Sequence, residues 1–196
     1  MSSQAHLPNH VIDFRINDRT KGYPLRKVRV HASHDEIDSL VQDGFLLRRG
    51  LFSGAWVNRL GAAVDRLVQE VIGHRLFTMM RVHEATSEVE RIYSSNLGAY
   101  PVGGRKQKGG TPWGRVVLDR GEVFVARSAD EVRDAFSDHA LIASLGIGSI
   151  MNIPLAYADR RLGTMNISHE AGWFTDDDAA TGRLIAAFVV PSLLAK

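Results

Sequence analysis

The sequence predicts an α+β domain, in which a central antiparallel sheet is flanked by N- and C-terminal helices on one face and by a helical and loop crossover on the other. Residues 145–169, LGIGSIMNIPLAYADRRLGTMNISH, place two runs rich in β-branched and aliphatic residues around the polar turn Ala158-Asp159-Arg160-Arg161, which reads as an antiparallel hairpin. Its first strand is apolar on both faces and must be covered on both. Upstream, Arg75 to Glu84 and Val89 to Asn96 form a second hairpin across Ala85-Thr86-Ser87-Glu88, and amphipathic helices stand at both ends of the region.

In chain order, residues 1 to about 25 carry Pro8, Gly22 and Pro24 and read as an irregular arm. Arg26 to His31 alternates like a short strand, and Ser33 with Glu36 makes a capping box for a short helix ended by Gly44. A boundary near residue 52 separates this arm from a domain spanning 53–196. Its first helix starts at Ser53 with a Phe52–Val57 staple, and Leu60, Val64, Leu67, Val68 and Val71 form one apolar stripe ending near Gly73. After the first hairpin comes the Gly- and Lys-rich loop 97–111. Thr111 and Pro112 then open a short helix to Leu118. Glu122 to Ala126 is a short strand, Ser128 caps a helix to about Phe136, and Asp138 to Leu145 adds helical turns. Thr175 caps the last helix, with Asp176, Asp177 and Asp178 in the first turn where the helix dipole favours acids. Leu184, Ile185, Phe188 and Val189 form its stripe, and Pro191 should kink or end it.

Composition narrows the chemistry. The 196 residues include no cysteine, which excludes disulfides, thiolate metal sites and cysteine nucleophiles. A net charge of +2 without a basic stripe argues against a nucleic-acid partner. No apolar run is long enough to span a bilayer and the N-terminus lacks a signal-peptide core, so the expectation is a cytoplasmic protein without membrane association.

From about Arg75 to Leu194 the chain resembles a GAF domain. The resemblance rests on Pro101-Val102-Gly103-Gly104, Pro112-Trp113-Gly114, Ser144-Leu145-Gly146 ahead of Ser149-Ile150-Met151-Asn152-Ile153-Pro154-Leu155, Leu162-Gly163-Thr164-Met165-Asn166-Ile167 and Phe174-Thr175-Asp176-Asp177-Asp178, in that order. It implies a PAS-like sheet, a small-molecule pocket between the sheet and the crossover, and often a homodimer through the terminal helices. It leaves the cofactor or ligand unknown. The methionine sulfoxide reductase branch needs catalytic cysteines and covalent bilin attachment usually needs one, so both are excluded. Cyclic-nucleotide binding is doubtful, because Ala179 stands where that branch carries glutamate and Asn166 is followed by Ile167 instead of lysine. A shorter stretch, about 33–70 and centred on Asp43-Gly44-Phe45-Leu46-Leu47-Arg48-Arg49-Gly50-Leu51-Phe52, resembles the start of phytanoyl-CoA dioxygenase-like proteins, without the His-x-Asp pair that holds their iron.

The candidate ligand-binding residues are Arg81, Tyr93, Tyr100, Arg105, Lys106, Lys108, Trp113, Asn152 and Asn166. Arg105, Lys106 and Lys108 sit among glycines, whose backbone amides could join them around an anion. Tyr93, Tyr100 and Trp113 supply aromatic walls. Asn152 and Asn166 lie on central strands, where a buried amide needs a backbone or ligand partner. Arg81, alternating with Phe77 and Met79, is either a third buried polar group or an edge position facing solvent. The strand-end pairs His83-Glu84 and His169-Glu170 invite a metal, although antiparallel strands would hold them far apart, and no metal site is expected. His139 beside Asp138 could act as a base but lacks a nucleophile elbow. Three functional expectations follow. The first is a sensory protein that binds a small anionic or aromatic metabolite and signals through a dimer or a protein partner. The second is a cysteine-free enzyme using His83, Tyr93 and His169 with Lys106 and Lys108. The third is a structural dimerisation module.

Overall fold

The structure, a computed structural model, describes residues 10–14, 28–32, 54–107 and 110–194. The chain divides into two compact units, Met1–Arg48 and Arg49–Lys196. In the first, β1 (His10–Phe14) pairs antiparallel with β2 (Val28–Ala32), His10 opposite Ala32. The expected irregular arm therefore contains a strand. HVIDF is too short to declare itself locally, and its partner lies 18 positions further along. The expected helix 33–44, the Ser53 cap, the Phe52–Val57 staple and most of the dioxygenase-like stretch lie outside the described residues.

The second unit runs α1 (Gly54–Val71), β3 (Leu76–His83), β4 (Glu88–Ser94), β5 (Arg105–Gln107), α2 (Pro112–Gly114, continuing as a π-helical stretch Arg115–Arg120), β6 (Phe124–Ala126), α3 (Ala129–Ala135), α4 (His139–Ser144), β7 (Ser149–Tyr157), β8 (Arg160–His169) and α5 (Asp176–Leu194). Its sheet is antiparallel throughout, in the order β5-β4-β3-β8-β7-β6. The β7–β8 hairpin lies inside the sheet and is covered on both faces, as its apolar first strand requires.

One face packs against α1 and α5. Phe77, Met79, Met151, Ile153, Leu155, Met165 and Ile167 are completely buried there, with Val64 and Val68 of α1 and Ile185 and Val189 of α5. Burying each such side chain contributes about 1.5–3 kcal/mol, which makes this cluster the main stabilising element. The alternate residues of the same strands face the crossover segment 97–148, where two smaller clusters form around Tyr100, Ile142 and Ile150 and around Met80, Trp113 and Val117.

Several elements differ from expectation. Leu67 and Val71 of α1 and Leu184 and Phe188 of α5, assigned by periodicity to the buried stripes, are exposed at 39%, 48%, 71% and 69%. Each helix has a wider apolar arc than the sheet can cover. Pro191 does not end α5, which runs to Leu194. The backbone bond that proline removes is offset by burial of Leu193 against the core, and the Ser192 hydroxyl donates to the Val189 carbonyl at 2.7 Å. The helix opened by Thr111 is capped as expected, with the Gly114 N–H donating to Thr111 Oγ1 at 3.1 Å, but it widens into π-helix after one turn. Part of the expected loop 97–111 is the edge strand β5.

Candidate functional site

Between the sheet and the crossover lies a cavity of about 60 Å³. One buried water needs roughly 10–15 Å³, so the space suits four or five waters or a ligand of about one ring. Leu76, Thr78 and Met80 of β3, Asn166 and Ser168 of β8, and Ile150 and Asn152 of β7 make the floor. Arg91 and Lys106 close one side, and Tyr100, Trp113, Phe136, Asp138 and Ile142 form the roof.

Strand register explains the floor. Thr78 pairs with Asn166 and Asn166 with Asn152, so three polar residues of equal parity stand in one row across neighbouring strands. The Asn152 Nδ2 donates to Asn166 Oδ1 at 2.6 Å, and the Asn166 Nδ2 donates to Thr78 Oγ1 at 3.0 Å. All three are at most 9% exposed. The partner expected from backbone or ligand is thus, for both amides, another side chain in the row. The row ends unsatisfied, because Asn152 Oδ1 is buried without a partner.

The roof is aromatic. Trp113 and Phe136 stack at 6.2 Å between centroids with planes 11° apart, and Phe124 meets Phe136 edge-on at 6.1 Å. Behind them lies a charged group. Asp138 Oδ2 accepts from Lys106 Nζ at 2.8 Å and from the Tyr100 hydroxyl at 3.1 Å, while its Oδ1 is buried without a partner. Burial alone would push the Asp138 carboxyl up, but Lys106, the residue's own backbone N–H and the Tyr100 hydroxyl together hold it below the usual carboxylate range. Burial and the neighbouring Asp138 carboxylate push the Tyr100 hydroxyl well up, so it stays a donor. The Arg91 guanidinium lies over the Tyr100 ring at 4.8 Å and its Nη1 donates to the Pro101 carbonyl at 3.0 Å, with Nε buried and unpartnered.

Of the residues expected at the site, Tyr100, Lys106, Trp113, Asn152 and Asn166 line this cavity. Arg81 and Tyr93 lie on the helix face. Arg81 shares the parity of Phe77 and Met79 and lines a groove at the hairpin ends with Arg160 and Arg161. Burial lowers its pKa, with Glu90 opposing. Tyr93 reaches α1, where Gly61 leaves room for its ring and its hydroxyl donates to Asp65 Oδ2 at 2.7 Å. Burial first, then the Asp65 carboxylate, raises that hydroxyl's pKa.

A β-bulge decides the matter. Met79 pairs with Tyr93 but Met80 pairs with Arg91, so Ile92 is an extra residue and the strand changes face between 91 and 93. Tyr93 turns toward the helices and Arg91 toward the cavity. Arg105 points away from Lys106 and forms ion pairs with Glu88 at 3.2 Å and Glu90 at 3.3 Å. Lys108 lies outside the described residues.

The alternative catalytic set does not assemble. His83 Nε2 meets Glu90 Oε2 at 2.6 Å at one end of β3, Tyr93 faces α1, and His169 stacks on Trp173 at 3.6 Å beside the other end of β3. Leu76 pairs with Ser168, which puts His169 level with residue 75, so β3 alone holds His83 and His169 about 26 Å apart at ~3.3 Å per residue. Burial, with Arg75 and His74, lowers the His169 pKa against the pull of Glu170. His139 is exposed, with Nδ1 at 3.1 Å from the Phe136 carbonyl. Among the described residues no group of three or more His, Cys, Asp or Glu is placed to hold a metal ion, and no helix is long and apolar enough to cross a membrane.

Sequence reasoning missed Thr78, Arg91, Phe136 and Asp138. Asp138 was visible beside His139, and a lone arginine between Val89 and Tyr93 was the available signal for Arg91.

The GAF domain family model matches residues 59–190. No curated protein matches the chain. Solved structures share the fold at low identity. The GAF domain of a two-component sensor histidine kinase from Bacillus halodurans aligns at TM-score 0.58 and 16% identity over 69% of this chain and 91% of that one. A GAF domain/HD domain protein from Geobacter sulfurreducens aligns at TM-score 0.58 and 14% identity, covering 70% and 93%. The free methionine-R-sulfoxide reductase from Neisseria meningitidis, solved with its substrate, aligns at 0.55 and 16%, covering 74% and 94%. With the family model spanning well over half of the sequence, and with the six-stranded sheet, its two-helix cover and its crossover all in place, the chain belongs to the GAF domain family.

Proposed function

We propose that this protein is a small-molecule sensor whose GAF domain takes a compact, ring-bearing metabolite into the cavity between sheet and crossover, and that it works as a homodimer. The observation that carries the reading is the cavity itself. Its walls are largely apolar, its roof holds the stacked Trp113 and Phe136, and buried polar atoms of Arg91, Asp138 and Asn152 have no protein partner. The enzyme reading gains nothing from His83, Tyr93 and His169, which face three different surroundings, and the reductase chemistry of one aligned structure has no cysteine to use here.

Exposed Leu67 and Val71 on α1 and Leu184 and Phe188 on α5 support self-association, since apolar side chains at helical spacing on neighbouring helices favour burial against another copy. Ligand binding in the cavity would reach that surface through the sheet on which both helices rest.

The test is a thermal-shift screen against a metabolite library, with hits confirmed by native mass spectrometry. A ligand at 100 times its dissociation constant stabilises by about 2.7 kcal/mol, which raises Tm by roughly 5–10 °C for a domain of this size. The Trp113→Ala variant should lose that shift. Absence of a shift with every metabolite would refute the sensor reading.

A further inference from the structure

We infer that the ligand of this cavity is a ring-bearing monocarboxylate, whose carboxylate is the counter-ion of Arg91 and whose ring lies against Trp113. The inference rests on the sensor reading and adds the chemical class of the ligand to it.

Arg91 is an anomaly in the interior. Among the described residues it is the only Lys, Arg, Asp or Glu that is buried, at 7% exposed, and it forms no ion pair. Buried charges in proteins are paired, because water no longer solvates them. Of the guanidinium nitrogens, Nη1 donates to the Pro101 carbonyl at 3.0 Å and Nε is sealed in without a partner. Nη2 makes no hydrogen bond and, unlike Nε, keeps accessible surface on a side chain that lines the cavity. This is the nitrogen a ligand can reach. The Pro101 bond and the stacking over the Tyr100 ring at 4.8 Å hold the guanidinium in place before any ligand arrives. Burial lowers the Arg91 pKa, with Tyr100 and Asp138 opposing, and an arginine stays charged under such a shift.

The lining also sets the charge of the ligand. Two cations, Arg91 and Lys106, and one carboxylate, Asp138, leave a net charge of +1. Asp138 is matched by Lys106 at 2.8 Å and by the Tyr100 hydroxyl at 3.1 Å, and it attracts Arg91 only from beyond ion-pair distance, so the surplus charge resides on Arg91. One ligand carboxylate brings the sum to zero. A phosphate monoester, at about −1.5 to −2 near neutrality, would leave excess negative charge close to Asp138, and a neutral ligand would leave Arg91 unpaired.

Size and shape supply the ring. Met80 is the register partner of Arg91 and belongs to the cluster around Trp113, so the cation and the aromatic roof border the same side chain. A single ring carrying one carboxylate spans that separation, fits the cavity of about 60 Å³ and lies against the Trp113–Phe136 stack.

Benzoate, benzamide and phenyl phosphate share the ring and differ in charge. Titration calorimetry on the full chain should give benzoate tighter binding than benzamide by about tenfold or more, and tighter binding than phenyl phosphate. Arg91→Met keeps most of the side-chain length and removes the charge, so benzoate should fall to the affinity of benzamide. Arg91→Gln, neutral but still a donor, carries the same expectation and serves if Arg91→Met does not fold. Benzamide or phenyl phosphate equal to or tighter than benzoate, no binding of any of the three, or a benzoate preference that survives in either folded variant overturns the assignment. Each of these leaves the sensor reading standing as long as a library metabolite still shifts Tm in a Trp113-dependent way. Loss of every metabolite shift refutes the sensor reading itself.

Discussion

Replacing Asn166 by leucine probes the polar row most directly. Asn166 is the middle member, accepting from Asn152 at 2.6 Å and donating to Thr78 at 3.0 Å, and the three side chains are 9%, 4% and 6% exposed. Leucine has similar volume and leaves little cavity, so the main cost is stranding. The Asn152 amide, whose Oδ1 already lacks a partner, loses its remaining bond, and the Thr78 hydroxyl loses its donor. At about 1–3 kcal/mol for the amide and about 1 for the rotatable hydroxyl, less about 1 for the apolar surface that leucine adds, Asn166→Leu should destabilise by about 1–3 kcal/mol. That corresponds to a fall in Tm of roughly 2–12 °C. Urea unfolding should show the midpoint move with an unchanged slope. The discriminating measurement is the double variant Asn152→Leu/Asn166→Leu. Removing both amides together leaves only Thr78 stranded, so the double variant should be no less stable than Asn166→Leu alone, with a coupling of at least ~1 kcal/mol. Costs that add to within about 0.5 kcal/mol would refute the claim that the row acts as one hydrogen-bonded unit.

Tyr93→Phe removes the bond to Asp65 and should cost about 1 kcal/mol of stability while leaving ligand-induced Tm shifts intact, because the ring lies across the sheet from the cavity. Loss of the ligand shift in a folded Tyr93→Phe protein would show that the face assignment is wrong. Leu184→Glu with Phe188→Glu alters two residues that are 71% and 69% exposed, so the fold should survive while light scattering coupled to size exclusion reports a halved mass. An unchanged mass in the double glutamate variant would exclude these helices as the self-association surface. Asp138 has a carboxyl pKa depressed by folding, so its contribution is fully present above the unfolded value near ~3.9 and is lost as pH falls through the folded value. The Tm gap between wild type and Asp138→Asn should therefore be widest near neutrality and close below about pH 4, and a gap that is constant down to pH 3 would contradict the Lys106–Asp138–Tyr100 arrangement.

Much of the architecture is local information. Two hairpins, capped helices at Thr111, Ser128 and Thr175, and apolar runs long enough to need cover on both faces led to the sheet and its two layers from the residues alone. The absence of cysteine likewise removed whole classes of chemistry without any coordinates. Tyr100, Lys106, Trp113, Asn152 and Asn166 were legible as cavity residues because each combines a polar or aromatic side chain with a position on a central strand or on the crossover.

What stayed hidden depends on pairing between distant segments. The Ile92 bulge is a property of how β4 meets β3, and it alone sends Tyr93 to the helices and Arg91 to the cavity, which period-two reading of a single strand cannot anticipate. Asp138 becomes a cavity group because Lys106, 32 positions away, arrives on β5 to hold it. Exposure of Leu184 and Phe188 follows from the width of sheet available to α5, which helical periodicity does not encode. Composition and local pattern determined the fold class and most of its elements. The tertiary structure decided which side chains share a cavity, because strand register and long-range ion pairs exist only once the chain has closed on itself.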